Sequence, residues 1–275
     1  MLNIGWFSTA KGDSSKKLLD TVISHIHAGN LNVKIDFIFC NREHSESEKT
    51  DAFIQQVKDY QIPLVCFSVK KFALNFQQKV GVKDDNLPEW RLEYDRQIMS
   101  RLQGYEVDIC MLAGYMLIMG PEMCSRYNMI NLHPALPMGP KGTWQEVIWE
   151  LIKEKATESG VMIHLVTTDM DRGPVISFCR YPINGQEFDN LWDEFKNTSI
   201  SVVKSQQGDN NGLFKSIRQS GFIRETPLIV HTLKSFSDRK IRINNDKKLV
   251  NNSGAIIAGY DLTEVIDMEI KKGLK

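Results

Sequence analysis

An excess of charge of one sign is what this chain lacks most plainly. Lysine plus arginine and aspartate plus glutamate both number 34 among 275 residues, so the formal net charge is zero. No global field gathers phosphate backbones or anionic lipid, and neither nucleic acid nor a membrane is expected as a partner. Long apolar runs are missing too, and nothing approaches the roughly 20 residues of a membrane-spanning helix. The opening "MLNIGWFSTA" is too short an apolar stretch, and lacks the basic leader, of a signal peptide. No two cysteines have C-x-x-C spacing. Cys40, Cys66, Cys110, Cys124 and Cys179 are scattered, several of them in apolar runs, as expected of reduced core thiols in a cytoplasmic protein. Ligands at metal spacing are not clustered, so no metal is expected. Neither a Walker A loop nor G-x-G-x-x-G is present, which leaves nucleotide sites of those kinds unsupported. Internal repeats and low-complexity tracts are absent.

What is there alternates. "LNIGWFST" reads as a strand, and "SSKKLLDTVISHIHAG" as a helix with Leu18, Leu19, Val22, Ile23 and Ile26 on one face. "VKIDFIFCN", "IPLVCFSV", "VDICMLAGYML" and "MINLHP" read as further strands. "SEKTDAFIQQVKDYQ", "PEWRLEYDRQIMSRLQGY" and the short "GPEMCSRY" read as the helices between them. Strand–helix alternation implies an α/β fold with a mostly parallel, twisted, Rossmann-like sheet covered by helices on both faces. Sites in such sheets lie beyond the carboxyl ends of the strands. Later come the helix "GTWQEVIWELIKEKATESG" and the strands "VMIHLVTTD" and "VISFCRYPI", joined by the breaker-rich "MDRGP". A helical stretch broken at "QQGDNNG" follows, then a last major helix "ETPLIVHTLKSFSDRK". The expected organisation is a catalytic domain over 1–245, starting at residue 1, with an enlarged segment at about 185–221. A C-terminal strand–helix extension over 246–275 follows it, entered through the turn-rich linker "NNDKKLVNNSG".

In "INLHPALPMG", period-two spacing sets Asn131 and His133 on one face of a strand that Pro134 must end. A lone His in an apolar strand is usually a satisfied core residue, and His164 in "VMIHLV" invites the same bland reading. Asp171 sits in a turn, where Asp is common for local reasons. Taken together, the groups form a kit for moving an acyl group between nitrogens. Histidine supplies a proton near neutral pH, the Asn amide N–H holds a developing oxyanion, and Asp orients the His or takes a proton from an amine. No Ser or Cys nucleophile stands beside the His, so no covalent intermediate is expected. "FSTAKGDSSKKLL" reads as a strand–helix turn in which Asp13 to Ser15 supply the N-cap. It is either an ordinary capped turn or an anion site.

Three stretches, "MLAGYMLIM", "MINLHPALP" and "SGVMIHLVTTDMDRGPVI", resemble in order and spacing the folate-dependent formyltransferase family. The resemblance is closest to its purine-synthesis branch, which formylates glycinamide ribonucleotide. It covers roughly residues 2 to 183 and, more weakly, the helix from Glu225. N-x-H-P followed by H-x6-D-x-G-P is its specific signature. The resemblance implies 10-formyltetrahydrofolate as co-substrate and small-molecule substrates, glycinamide ribonucleotide and folate, as partners. It places the catalytic Asn, His and Asp on Asn131, His133 and Asp171, and a supporting His on His164. It puts the pterin pocket on an apolar strand end at Met116, Leu117, Ile118 and Met119, and the loop over the pterin at Thr168, Asp169, Met170 and Asp171. It assigns a folate-tail Arg to Arg91, phosphate binding to Gly12, Asp13 and Ser14, and a ribose contact to Glu225.

The chain departs from the family in four places. The first loop reads "STAKGDSS" where the family has the form GxGSN. Leu117 stands where the family has Arg. "ALPMGPKGTW" follows His133 where the family has SLLP, and the 185–221 segment is longer. The expected reaction is transfer of the formyl group to the amine of glycinamide ribonucleotide. The alternatives are a different amine, such as that of a sugar nucleotide, hydrolysis of 10-formyltetrahydrofolate, or folate binding without catalysis. A monomer and a homodimer both remain open, since the C-terminal strand and helix suit packing on the core or joining two subunits.

Overall fold

A computed structural model of the chain describes residues 1–77, 87–185 and 187–273. Gln186, in the enlarged segment, and residues 274–275 of the extension lie outside the described residues. The elements run β1 (Leu2–Ser8), α1 (Asp13–His27), β2 (Val33–Cys40), α2 (Glu48–Asp59), β3 (Leu64–Cys66), α3 (Val69–Asn75), α4 (Glu89–Arg101), β4 (Ile109–Leu112), α5 (Pro121–Arg126) and β5 (Met129–His133). Then come α6 (Trp144–Lys153), β6 (Glu158–Leu165), β7 (Val175–Pro182), α7 (Asp189–Trp192), α8 (Glu194–Asn197), α9 (Ile200–Gln207), α10 (Gly212–Ser237), β8 (Ile241–Ile243), β9 (Leu249–Asn251), β10 (Tyr260–Asp261) and α11 (Thr263–Gly273). The fold is α/β, a mostly parallel sheet with helices around it.

The chain forms two compact units. The first comprises Met1–Leu132, His164–Pro174 and Leu233–Ile257, and the second His133–Ile163, Val175–Thr232 and Ala258–Lys275. In the first unit the strand order is β5-β4-β1-β2-β3, and each of these pairs is parallel. The chain order reverses between β1 and β4, the topological switch point at which open α/β sheets make their crevice. The core of this unit is aromatic, with Phe7, Phe37, Phe39 and Tyr94 fully buried. Gly5 is required here, because a Cβ on it would enter the Phe37 ring. β8 and β9 form an antiparallel hairpin that spans the 245/246 boundary drawn from the sequence. It is anchored by Lys247, which donates to the Tyr127 carbonyl and the Asn128 side chain at 3.1 and 2.9 Å.

In the second unit β10 pairs in parallel with β7, and β6 is the other neighbour of β7. The core packs Val147, Ile148 and Ile152 of α6 against Phe214 and Ile217 of α10. A full capping box, Thr143 with Glu146, opens α6.

Three sequence expectations change. The apolar stretch expected as a strand through Leu117 stops at Leu112, because Gly114 turns the backbone to φ +69°. "IPLVCFSV" gives only the three-residue β3, since Ser68 accepts from Lys71 N–H and starts α3. "ETPLIVHTLKSF" is no separate helix, for α10 runs through Pro227 without ending.

Candidate active site

The hairpin after β6 builds the centre of the site in the first unit. The Leu165 N–H donates to the Pro174 carbonyl at 2.8 Å and closes the loop. Asp171 sits at φ +56°, left-handed backbone that costs a side-chain-bearing residue about 1–3 kcal/mol. Gly173 is obligatory, because a Cβ there would collide with the Leu165 carbonyl oxygen. That same oxygen faces Nδ1 of His164 at 3.0 Å. A carbonyl only accepts, so Nδ1 carries the proton, and Nε2 of the neutral ring is an acceptor. Nε2 takes one amide hydrogen of Asn131, at 3.3 Å, and lies 3.6 Å from Asp171 Oδ1. His164 is 3% and Asp171 12% exposed at the side chain, so this network works where water screens little. With one hydrogen held by His164, the second hydrogen of the Asn131 amide has a fixed direction. A proton gained at Nε2 would sit beside the Asp171 carboxylate.

His133, two residues beyond Asn131 on β5, belongs to the second unit. It is buried, and its Nε2 donates to the Pro140 carbonyl at 2.9 Å. The loop that follows carries Met138, exposed and at φ +66°.

The other expected residues fall as follows. Met116 to Met119 form an irregular segment beyond β4 rather than a strand end, and three hydrogen bonds pin it. Met116 N–H donates to Thr9 Oγ1 at 2.9 Å, Arg91 donates to the Ile118 carbonyl at 2.6 Å, and Gly120 N–H donates to Asp95 at 2.7 Å. Arg91 also pairs with Asp95 at 2.9 Å, with both side chains at most 3% exposed. Burial raises the Asp95 pKa, against the pull of the Arg91 charge and the Gly120 N–H. Two of the Arg91 N–H donors thus hold this segment, and the residue also lines a cleft of the first unit. Thr168 and Asp169 are exposed and Met170 is half-buried, with Arg172 N–H donating to the Asp169 carbonyl at 3.2 Å.

In the first loop the N-cap is Gly12 with no side-chain cap, not Asp13 to Ser15. Asp13, the first residue of α1, pairs with Lys49 of α2 at 2.6 Å, and both side chains are exposed. Ser14 is exposed. Glu225, in the second unit, is 7% exposed and ion-paired with Arg218, whose guanidinium lies 4.9 Å from the Trp144 ring centre. Its Oε1 accepts from that guanidinium.

Sequence reasoning missed three features. Asp95 stands four residues after Arg91, a helical pairing distance that signalled it. The link from Thr9 to Met116 spans 107 residues and left no signal. A cleft of about 270 Å³ in the first unit is lined by Thr9, Lys11, Asn41, Arg42, Lys70 and Met116 to Ile118, among others. Among the described residues no group of three or more His, Cys, Asp or Glu is placed to hold a metal, and no helix is long and apolar enough to cross a membrane.

A sequence model of the formyl transferase family matches residues 11–197, more than half of the chain. The chain belongs to the formyl transferase family. It is an enzyme of one-carbon group transfer, with 10-formyltetrahydrofolate as co-substrate. A curated relative, the phosphoribosylglycinamide formyltransferase of Haemophilus influenzae, is 30% identical over 168 residues, covering 60% of this chain and 68% of that protein. The solved phosphoribosylglycinamide formyltransferase of Coxiella burnetii superposes with a TM-score of 0.65 at 19% identity, covering 94% of this chain and 98% of that one. A formyltetrahydrofolate deformylase from Burkholderia mallei gives 0.60 at 16% identity, covering 91% of this chain and 69% of that one. At those identities the two structures speak for the fold.

Proposed function

We propose that this formyltransferase passes the formyl group of 10-formyltetrahydrofolate to the amine of glycinamide ribonucleotide. The observation that carries the reading is the Asn131–His164–Asp171 network, in a chain that is 30% identical to a phosphoribosylglycinamide formyltransferase. The amine attacks the formyl carbon. Its carbonyl oxygen becomes an oxyanion, held by the second hydrogen of the Asn131 amide and by His133 in its protonated form. Asp171 takes the proton released by the amine, directly or through water, and returns it to the departing folate nitrogen. His164 orients Asn131 and faces Asp171, which makes it a positioning residue.

The test is folate product formation, followed by absorbance, with and without glycinamide ribonucleotide. Release that requires the ribonucleotide and is lost in His133→Ala supports the reading. Release without any amine turns the assignment to hydrolysis. Folate binding without turnover turns it to another acceptor.

A further inference from the structure

Two cysteines far apart in sequence are brought together in the first unit. β2 and β3 pair in parallel, and Cys40 and Cys66, the last residue of each strand, are partners in register. Both are free thiols. Registered partners point to the same face of a sheet, and neighbouring strands lie about 4.7–4.9 Å apart. A disulfide joins Cα atoms about 4.4–6.8 Å apart, so the strand spacing itself suits one. The two thiols are hydrogen-bonded to each other, and that bond is the largest influence on both. Cys110, by contrast, is registered against Gly5 and Met129.

The two sulfurs are not equivalent. Cys40 is fully buried, while Cys66 is half-buried. The hydrogen bond from Cys40 lowers the Cys66 pKa and outweighs the burial and the Glu43 charge that oppose it. The same bond, with burial, pushes the Cys40 thiol up. An accessible sulfur that ionises readily is the one an oxidant meets first, and a thiol in contact with it is placed to resolve the product. Burial instead pushes Cys124 and Cys179 up to about 11 and raises Cys110 as well. Past the pair the two chains stay joined, since Phe67 N–H donates to the Cys40 carbonyl at 3.0 Å and Val69 N–H to the Asn41 carbonyl at 3.1 Å.

We propose that Cys40 and Cys66 form a reversible redox site, closed to a disulfide by hydrogen peroxide and reopened by a dithiol. The Cys66 thiolate attacks one peroxide oxygen and the O–O bond breaks. The other oxygen leaves as hydroxide and takes up the proton lost by the Cys66 thiol, which leaves water and a sulfenic acid on Cys66. The Cys40 sulfur then attacks the Cys66 sulfur. The S–S bond forms, the S–O bond breaks, and the departing hydroxide takes the Cys40 proton as a second water. Two thiols and one hydrogen peroxide give one disulfide and two waters, with two electrons passed from sulfur to oxygen. A dithiol restores both thiols by exchange and is itself oxidised to a disulfide. The bond ties the three-residue β3 to β2 at the ends of both strands. Nothing in this depends on which amine accepts the formyl group.

The test treats the reduced full chain with a small molar excess of hydrogen peroxide and counts free thiols. Two of the five are expected to disappear together. Peptide mapping by mass spectrometry without reduction should find Cys40 linked to Cys66 within one chain, and dithiothreitol should return both thiols. Cys40→Ser removes the resolving thiol, so dimedone should capture at least tenfold more sulfenic acid on Cys66 than in the unaltered chain. Should Cys40→Ser not fold, as judged by circular dichroism, Cys66→Ser replaces it, and oxidation of Cys40 should slow at least tenfold. The proposal is overturned if all five thiols persist, if oxidation begins at Cys110, Cys124 or Cys179, or if the link joins two chains. Oxidation of Cys66 that dithiothreitol does not reverse, or a substitution that leaves the outcome unchanged, overturns it equally.

Discussion

Two loops of the first unit, 165–174 and 9–14, are built in opposite ways. The first is closed by a backbone hydrogen bond, turned by a left-handed Asp171, and seated on a glycine whose Cβ would strike the Leu165 carbonyl. Every one of these features bears on where the His164 and Asp171 side chains point. The second begins from Thr9, passes Ala10 at φ +50°, and ends on a helix whose N-cap Gly12 has no side-chain bond. Its charged residue, Asp13, is 76% exposed and tied to Lys49. Chemistry tolerates little displacement, while holding one end of a substrate can be done by several arrangements of cations.

The comparison can be broken at either end. The largest expected effect is at Asn131, where Asn131→Ala removes an oxyanion donor and should lower kcat by about a hundredfold to a thousandfold. A loss confined to KM would deny the amide that role. Gly173→Ala pushes the Leu165 carbonyl off His164 and should cost about a hundredfold in kcat, the scale of a displacement near 1 Å. Near-unchanged turnover would mean that the loop's backbone does not set the site.

Asp95→Ala tests the pinned segment between the two loops. It leaves Arg91 buried and unpaired, and breaking such a pair costs about 3–5 kcal/mol. Chemical denaturation should report that loss, and a variant as stable as the parent would contradict the clamp. The smallest effect concerns Glu43, whose pKa is held low by the Lys71 ammonium first and by the Ser68 N–H second. A depressed carboxylate contributes stability above its ordinary pKa and loses it as pH falls through the lowered value. Glu43→Gln should therefore lower the thermal midpoint near neutrality and leave it unchanged in strong acid. An equal shift at both pH values would remove the electrostatic explanation.

Much of the fold was legible because its signals are local. β1, α1 and β2 follow from period two and period 3.6 in the chain. The polar kit at the end of β5 and in the following hairpin was legible through residue type and spacing. The contacts that tune it were not. Nothing in the sequence says that Gly173 guards the carbonyl that sets the proton on His164, since that depends on how two hairpin arms meet. A folate-tail contact at Arg91 was implied by the family resemblance alone. The bonding of Arg91 to Asp95 and Ile118 emerges only when α4 is laid against the 116–120 segment. Gly12 to Ser14 were readable as a helix start, but not the capture of Asp13 by a lysine 36 residues away.

The most direct measurement compares Asp171→Asn and Lys49→Ala in one steady-state assay with 10-formyltetrahydrofolate and glycinamide ribonucleotide. The account predicts that Asp171→Asn loses kcat by about a hundredfold or more, as expected of a lost proton acceptor. Lys49→Ala should keep its kcat and raise only the KM of the ribonucleotide, by freeing the Asp13 charge beside the helix end. A normal kcat in Asp171→Asn, or a collapsed kcat in Lys49→Ala, would contradict the division of chemistry and recognition between the two loops.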